Sequence, residues 1–100
     1  MLKKELLELS LLQLLSNGAE YGYELLRRLH DAFPDTQESA IYAVLRGLCK
    51  DGCTRTFQGE SSDGPVRKYY ELTPAGAEKH QALLTQWRAL VEALSRLGLN

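Results

Sequence analysis

The sequence predicts an α+β domain that is mostly helical, with three helices, a two-stranded β-hairpin and a long final helix. Three apolar patterns with helical spacing precede residue 51, and two strand-like runs flank a turn-rich segment at 59–63. Thr73-Pro74 then opens a last stretch whose apolar side chains recur every three or four positions. The chain has 100 residues, 44% of them hydrophobic, which suits one domain with a modest core.

The predicted first helix covers residues 2–16 and carries two apolar stripes. One stripe consists of Leu2, Leu6, Leu9 and Leu12, and the other of Leu7, Leu11, Leu14 and Leu15. A helix with two apolar stripes buries two faces. One face can therefore pack on the domain's own core, while the other needs a second partner. Asn17-Gly18 ends this helix.

The second and third predicted helices are joined by a short connection, as a helix-turn-helix requires. Helix two begins at Tyr21 and runs to about Ala32, where Phe33-Pro34 ends it. Asp35 or Thr36 is the predicted N-cap of helix three, which runs to about Lys50. Its buried stripe is predicted to be Ile41, Val44, Leu45 and Leu48. Its other side carries Gln37, Ser39, Tyr42, Ala43, Arg46 and Lys50.

The hairpin that follows places two adjacent cations, Arg67 and Lys68, on its second strand near the tip. Successive residues of a strand face opposite sides, so these two side chains are expected to diverge. By the same alternation, Tyr70 is predicted to pack on the core, on the side of Leu72. The first strand runs from Cys53 to about residue 57.

The last helix is predicted to run from Thr73-Pro74 to about Leu97, which makes it about 36 Å long. Its distal half would overhang a domain of this size, and its apolar side chains would be exposed unless a second chain covered them. The broad apolar face, which is the predicted dimer interface, consists of Leu83, Leu84, Trp87, Leu90, Val91 and Leu94.

The net charge, the cysteine content and the lack of recognisable motifs argue against several classes of protein. The net charge of −1 argues against a uniformly basic DNA-binding protein, so any DNA-facing charge must be local and doubled by a two-fold axis. Two cysteines without a recognisable signal peptide predict reduced thiols in the cytoplasm. No metal-ligand spacing and no catalytic motif is recognisable, so we expect neither a metal, nor another cofactor, nor an enzyme.

Three helices followed by a hairpin with cations near its tip form the layout of a winged helix-turn-helix, a DNA-binding fold. Helix three would then enter the major groove. Its N-terminal residues, Gln37 and Ser39, are the candidate base readers. Phosphate contacts are predicted for Tyr42, Arg46 and Lys50 of helix three and for Arg55, Arg67 and Lys68 of the wing. The alternative is that these side chains form an ordinary solvated surface.

Four pieces of sequence carry a resemblance that spans nearly the whole chain. They are Tyr21-Gly22-Tyr23-Glu24-Leu25, Ile41-Tyr42 with Leu45–Leu48, Lys50-Asp51-Gly52, and Arg67-Lys68-Tyr69-Tyr70-Glu71-Leu72-Thr73. With these, the chain resembles the PadR-like winged-helix transcriptional regulators, specifically the short subfamily with one C-terminal helix. The last piece is the most specific. The sequence departs from the family at Gln37-Glu38-Ser39-Ala40, where a Ser-Pro-Gly-Thr-like start is common, and at Gly47, where a cation is usual.

The resemblance implies a homodimer built by the C-terminal helix with helix one. Some family members are repressors relieved by aromatic small molecules. Trp87 matches a tryptophan that lines a pocket at the dimer interface in the multidrug-binding members. Without the resemblance, Trp87 would be read as a packing residue of an apolar helix face.

These observations predict a dimeric, cytoplasmic transcriptional regulator, a repressor, that binds a pseudo-palindromic DNA duplex and is released by an aromatic effector. Residues 1–72 would form the DNA-binding region, with helix one shared with the dimer interface, and residues 73–100 the dimerisation helix. The alternative, from another class, is a dimerising winged-helix interaction module that does not bind DNA. The near-neutral charge and the acidic Glu38 favour that alternative.

Overall fold

Four α-helices and one small antiparallel sheet form the fold in the computed structural model, which describes residues 1–59, 64 and 66–100. In chain order the elements are α1 (Lys3–Leu15), β1 (Glu20–Tyr21), α2 (Gly22–Ala32), α3 (Glu38–Lys50), β2 (Thr54–Gly59), β3 (Arg67–Leu72) and α4 (Pro74–Arg96). The predicted mostly helical α+β fold, with a β-wing and a long last helix, is confirmed. Most of the predicted hairpin tip at 59–63 lies outside the described residues.

Helix α1 is the centre of the core and packs against all three other helices and against β3. Leu11 and Leu12 have no exposed surface, and neither do Leu25 of α2 and Ile41 of α3. Both predicted stripes of the first helix contribute buried leucines. The first stripe is less buried at its start, where Leu2 precedes the helix and remains exposed.

The sheet has three strands in the order β1-β3-β2, whereas the sequence predicted a hairpin of two. The additional strand, β1, is two residues long and pairs antiparallel with β3, so that Glu20 lies opposite Tyr70 and Tyr21 opposite Tyr69. Because a two-residue strand is too short to show an alternating pattern, the sequence did not predict it, and Tyr21 was expected to begin a helix. The pairing ties the helix-turn-helix to the wing.

Helix α3 begins one or two residues later than a cap at Asp35 or Thr36 would place it, so that prediction is wrong. Gln37 is the N-cap, and its carbonyl accepts hydrogen bonds from the N–H groups of Ala40 and Ile41 at 3.0 and 3.2 Å. The N–H of Thr36 instead donates to the carbonyl of Phe33 at 3.0 Å. This turn after α2 holds Thr36 outside α3, with its side chain buried.

Thr73 caps α4 as the sequence predicts, with Pro74 in the first turn. Its hydroxyl oxygen accepts from the N–H of Gly76 at 3.1 Å and donates to the carbonyl of Gly52 at 2.5 Å. The start of α4 lies directly against the segment between α3 and β2, because a Cβ on Gly76 would be 1.9 Å from the carbonyl oxygen of Cys53. The last helix is therefore joined to the end of α3 by close backbone packing.

Two polar pairs cross between α1 and α4 within this packing. Lys79 Nζ donates to Glu8 Oε2 at 2.9 Å, and His80 Nε2 is 2.7 Å from Gln13 Oε1. The hydrogen bond with Glu8 is the main reason that the pKa of Lys79 is raised above 10.5. A raised lysine pKa means that this pair contributes fully below pH 10.5 and is lost as the pH rises through the raised value.

The distal part of α4 extends beyond the rest of the fold, and the structure with α4 included measures 53 × 30 × 21 Å along its principal axes. Every residue from 85 to 100 is exposed. None of the helices in the described part of the chain combines the length and the apolar character needed to cross a membrane. The predicted overhang is therefore observed.

Candidate nucleic-acid interface

The exposed face of α3 carries the side chains that the sequence predicts as DNA contacts. Ile41, Leu45 and Leu48 on the opposite face are at most 1% exposed, so one side of the helix is anchored in the core. The predicted contact residues are all exposed on the free side: Gln37, Ser39, Tyr42, Arg46 and Lys50. Glu38 is also exposed in the first turn, which places an acidic group beside the candidate base readers.

Short-range contacts arrange the side chains on this face. The Ser39 hydroxyl donates to Gln37 Oε1 across 3.4 Å, a long hydrogen bond. The guanidinium carbon of Arg46 lies 5.8 Å from the centroid of the Tyr42 ring, within the range of a cation–π contact. A Cβ on Gly47 would meet no atom within 4 Å, so packing within the chain does not require glycine there.

The two adjacent cations of the wing point to opposite sides of β3, as predicted. Lys68 shares a side with Tyr70, which is 3% exposed and packs on the core; Lys68 Nζ is 5.5 Å from the Tyr70 ring centroid. Arg67 lies on the outer side, with its guanidinium carbon 4.9 Å from the centroid of the Tyr21 ring. Burial raises the pKa of the Tyr70 hydroxyl, and the nearby Lys68 ammonium partly offsets that rise.

Arg55, the third predicted wing cation, is held by a carboxylate. It lies directly opposite Glu71 in the sheet, and Arg55 Nε donates to Glu71 Oε1 at 2.8 Å. The pair is exposed on the outer surface of the wing. The positive charge of Arg55 is therefore partly neutralised before any contact with a phosphate.

A small cleft between α2, α3 and β3 was missed by the sequence reasoning. It has a volume of about 200 Å³, and Tyr23 at its edge is 59% exposed. Its lining residues are Tyr21, Gly22, Tyr23, Leu26, Tyr42, Leu45, Lys68 and Tyr70. Two of them, Tyr42 and Lys68, are predicted phosphate contacts. The pair Tyr21 and Tyr23 at the start of α2 is the sequence signal that points to this cleft.

A larger open cleft of about 410 Å³ lies between α1 and α4. Trp87, the candidate ligand contact, forms one wall, and Phe33 at the end of α2 forms another. The remaining lining residues are Leu6, Leu9, Ser10, Gln13 and Leu84. Because none of these side chains is charged, the cleft suits a neutral apolar or aromatic group.

The predicted dimer face of α4 is divided between the chain's own core and solvent. Leu83 is 5% exposed and belongs to the core, and Leu84 is half-buried against it. The distal four residues are exposed by 37–44%: Trp87, Leu90, Val91 and Leu94. The apolar surface that a second chain can reach therefore starts at Trp87.

The two cysteines differ in exposure. Cys53 is buried beside the first turn of α4, and Cys49 is partly exposed near the end of α3; both are free thiols. Within the described ranges, no three side chains of the types that bind metals come together. The candidate interface thus consists of the exposed face of α3 and the wing.

Matches to known proteins extend over most of the chain. Residues 11–82 match the model of the transcriptional regulator PadR-like family. A transcriptional regulator from Streptococcus is 34% identical, with a TM-score of 0.83 over 95% of this chain and 94% of its own. A PadR-like transcriptional regulator from Bacillus cereus is 30% identical, with a TM-score of 0.83 over 95% of this chain and 93% of its own.

A curated relative, an uncharacterized protein from Lysinibacillus sphaericus, is 29% identical over 87 residues, which are 84% of this chain and 80% of the relative. The family match includes α2, α3, the wing and the start of α4. It thus covers the elements that form the candidate interface, and it extends over well more than half of the sequence. The chain belongs to the transcriptional regulator PadR-like family.

Proposed function

We propose that this transcriptional regulator is a repressor that binds duplex DNA as a homodimer, through α3 in the major groove and the wing on the flanking backbone. The observation that carries the proposal is the free face of α3, whose predicted contact residues are all exposed, together with exposed cations on the wing. Arg46 and Lys50 on the helix and Arg67 and Lys68 on the wing would bind phosphates. Gln37 and Ser39 at the start of the helix would meet base edges.

The exposed apolar surface of α4 supports the homodimer. A second copy of the chain that packs α4 and α1 against this surface would remove it from water. A two-fold axis through such an interface would present two copies of α3 to successive major grooves, about 34 Å apart. Residues 1–72 would then be the DNA-binding region and 73–100 the dimerisation helix.

Selection from a random duplex pool across a salt series tests the function. An enriched inverted repeat with half-sites about one helical turn apart is the result expected for a dimeric regulator. Salt-sensitive retention without an enriched sequence would contradict specific recognition. Absence of binding at low salt would contradict DNA binding altogether and would favour the interaction module.

Glu71→Gln is expected to strengthen binding to the selected duplex by about threefold, because Arg55 would be released to contact a phosphate. The slope of log K against log salt should become steeper by about 0.9 per wing. Glu92→Gln on α4 is a matched control, because Glu92 similarly accepts from Arg96 at 2.7 Å and the net charge changes by the same amount. An equal gain in both variants would show an effect of net charge alone.

Val91→Glu is expected to weaken dimerisation by about a hundredfold, because an unpaired carboxylate would be buried in the apolar interface. Sedimentation equilibrium measures the change, and binding to the inverted repeat should fall with it. Gln86→Glu adds the same charge at an exposed α4 position outside the predicted dimer face and should leave the dimer intact. A dimer unchanged by Val91→Glu would exclude this face as the interface.

We also propose that the cleft beside Trp87 admits a neutral aromatic effector. The two polar side chains of the cleft already have hydrogen-bond partners within the chain. The Ser10 hydroxyl donates to the carbonyl of Leu6 at 2.7 Å, and Gln13 Oε1 is 2.7 Å from His80 Nε2. An effector that binds preferentially to the DNA-incompetent form would release the operator.

Coumarin, a neutral planar aromatic, is expected to quench the fluorescence of Trp87 in a saturable way, because Trp87 is the only tryptophan of the chain. N-acetyltryptophanamide is the control for quenching by collision in solution. An emission that changes no more than that of the control would indicate that Trp87 serves packing alone.

A further inference from the structure

The cations of the described residues differ in what lies beside them. Five of them are paired with carboxylates: Arg27, Arg28, Arg55, Lys79 and Arg96. Three cations of the candidate interface instead lie over tyrosine rings: Arg46 over Tyr42, Lys68 over Tyr70 and Arg67 over Tyr21. A ring attracts the cation without cancelling its net charge, whereas a carboxylate removes that charge from the surface.

The contact between Arg67 and Tyr21 is the shortest of the three, at 4.9 Å. It joins two strands, since Tyr21 belongs to β1 and Arg67 to β3. Arg67 is thus held by a strand that reaches the wing from the helix-turn-helix. This contact depends on β1, the strand that the sequence did not predict.

The Tyr21 ring is itself held in place by a row of aromatic side chains across the sheet. Tyr21 lies opposite Tyr69 on β3, and Tyr69 lies opposite Phe57 on β2. The ring centroids are 5.9 Å apart in the first pair and 5.6 Å in the second, in which the two rings are stacked. Residues that are directly opposite share one face of a sheet, so the three rings form a continuous row on the outer side.

Gly59 allows this row to lie flat on the sheet. A Cβ at Gly59 would be 2.3 Å from Cε1 of the Tyr69 ring, so the ring covers the glycine backbone. Gly59 lies opposite Arg67 in the register of the two strands. The Tyr69 ring therefore covers Gly59, and Arg67 lies beside Tyr69 on the same face of the sheet.

We propose that Tyr21 is a positioning residue for Arg67: it holds the guanidinium group over its ring, with the charge intact, where the wing meets a DNA phosphate. An arginine side chain loses considerable rotamer entropy when it is fixed. A ring that already restricts the side chain reduces that loss on binding, which is preorganisation. This inference rests on the proposed DNA-binding function, and it adds to it a residue that does not itself contact the DNA.

A double-mutant cycle between Tyr21 and Arg67 tests the proposal on the duplex recovered from the pool. Tyr21→Leu is expected to weaken binding about threefold per wing, and Tyr21→Phe, which keeps the ring, to restore it. In the Arg67→Ala background, Tyr21→Leu should have no further effect. Phe57→Leu is the matched control, because it removes a ring from the other end of the row, and no cation of the described residues lies over that ring.

An equal loss of affinity from Tyr21→Leu with and without Arg67 would overturn the positioning role, and so would an equal loss from Phe57→Leu.

Proton NMR of the DNA-free protein gives a second, independent readout. The side-chain protons of Arg67 should lie upfield because of the Tyr21 ring current, and Tyr21→Leu should abolish that shift. If the shift is absent in the unmodified protein, the inference fails even where DNA binding is observed. If the shift is present but Arg67→Ala binds normally, the proposed role of the wing fails instead.

Discussion

Gly76→Ala should lower the free energy of unfolding by about 3 kcal/mol, at the upper end of what overpacking usually costs. The added methyl group would be 1.9 Å from the carbonyl oxygen of Cys53 and 2.9 Å from its carbon. Both are backbone atoms, and the carbonyl oxygen of Cys53 accepts from the N–H of Thr73 at 3.1 Å, so they cannot yield as a flexible side chain would. Either α4 moves away from β2 or its first turn is lost, and both changes remove buried contacts.

Gly47→Ala is the matched control for this prediction, because it makes the same substitution inside another helix. A Cβ at Gly47 meets nothing within 4 Å. Alanine should therefore stabilise α3 by about 0.5 to 1 kcal/mol through its better helix propensity. Thermal unfolding at equal protomer concentration measures both variants, since a dimer melts at a concentration-dependent temperature. A Gly76→Ala variant as stable as the unmodified protein would contradict the close packing of α4 on Cys53.

Combined Arg67→Ala and Lys68→Ala substitutions should weaken binding to the selected duplex by at least about tenfold at low salt. Each cation that contacts a phosphate releases counterions, so its loss should flatten the slope of log K against log salt by about 0.9. In a dimer the two wings double this change. Because the two side chains lie on opposite sides of β3, the single variants should show which of them contacts the backbone.

The double variant Arg88→Ala/Arg96→Ala is the control, because it removes two positive charges from α4 and so has the same net charge as the wing variant. Its salt slope should remain close to that of the unmodified protein. An unchanged slope in the wing variant would exclude the wing from the phosphate contacts. A loss of affinity that is equal for all sequences is expected, because phosphate contacts do not distinguish bases.

The elements that the sequence predicted well are those with a strong local signal. Thr73 and Pro74 together mark a helix start that depends on no distant residue, and the cap hydrogen bond to Gly76 is present. The spacing of Ile41, Leu45 and Leu48 similarly identifies the buried face of α3, and hence its free face, without knowledge of the partners that cover it.

Features that depend on tertiary contacts could not be predicted in the same way. Leu83 fits the same apolar pattern as Leu94, but only packing decides that the first belongs to the chain's own core and the second to solvent. The N-cap of α3 moved to Gln37 because a turn after α2 engages Thr36. The contact of Tyr21 with Arg67 joins residues 46 positions apart and is created by strand pairing.

The hydrogen bond from Thr73 to the carbonyl of Gly52 fixes the start of α4 directly to the segment that follows α3. Helix α4 has 23 residues and is about 35 Å long, so a rotation of about 5° at Thr73 would move its far end by about 3 Å. No flexible linker separates α3 from the start of α4, because the carbonyl groups of Gly52 and Cys53 both accept hydrogen bonds from Thr73. In the proposed homodimer, a small change in the crossing of the two copies of α4 would thus change the spacing of the two copies of α3.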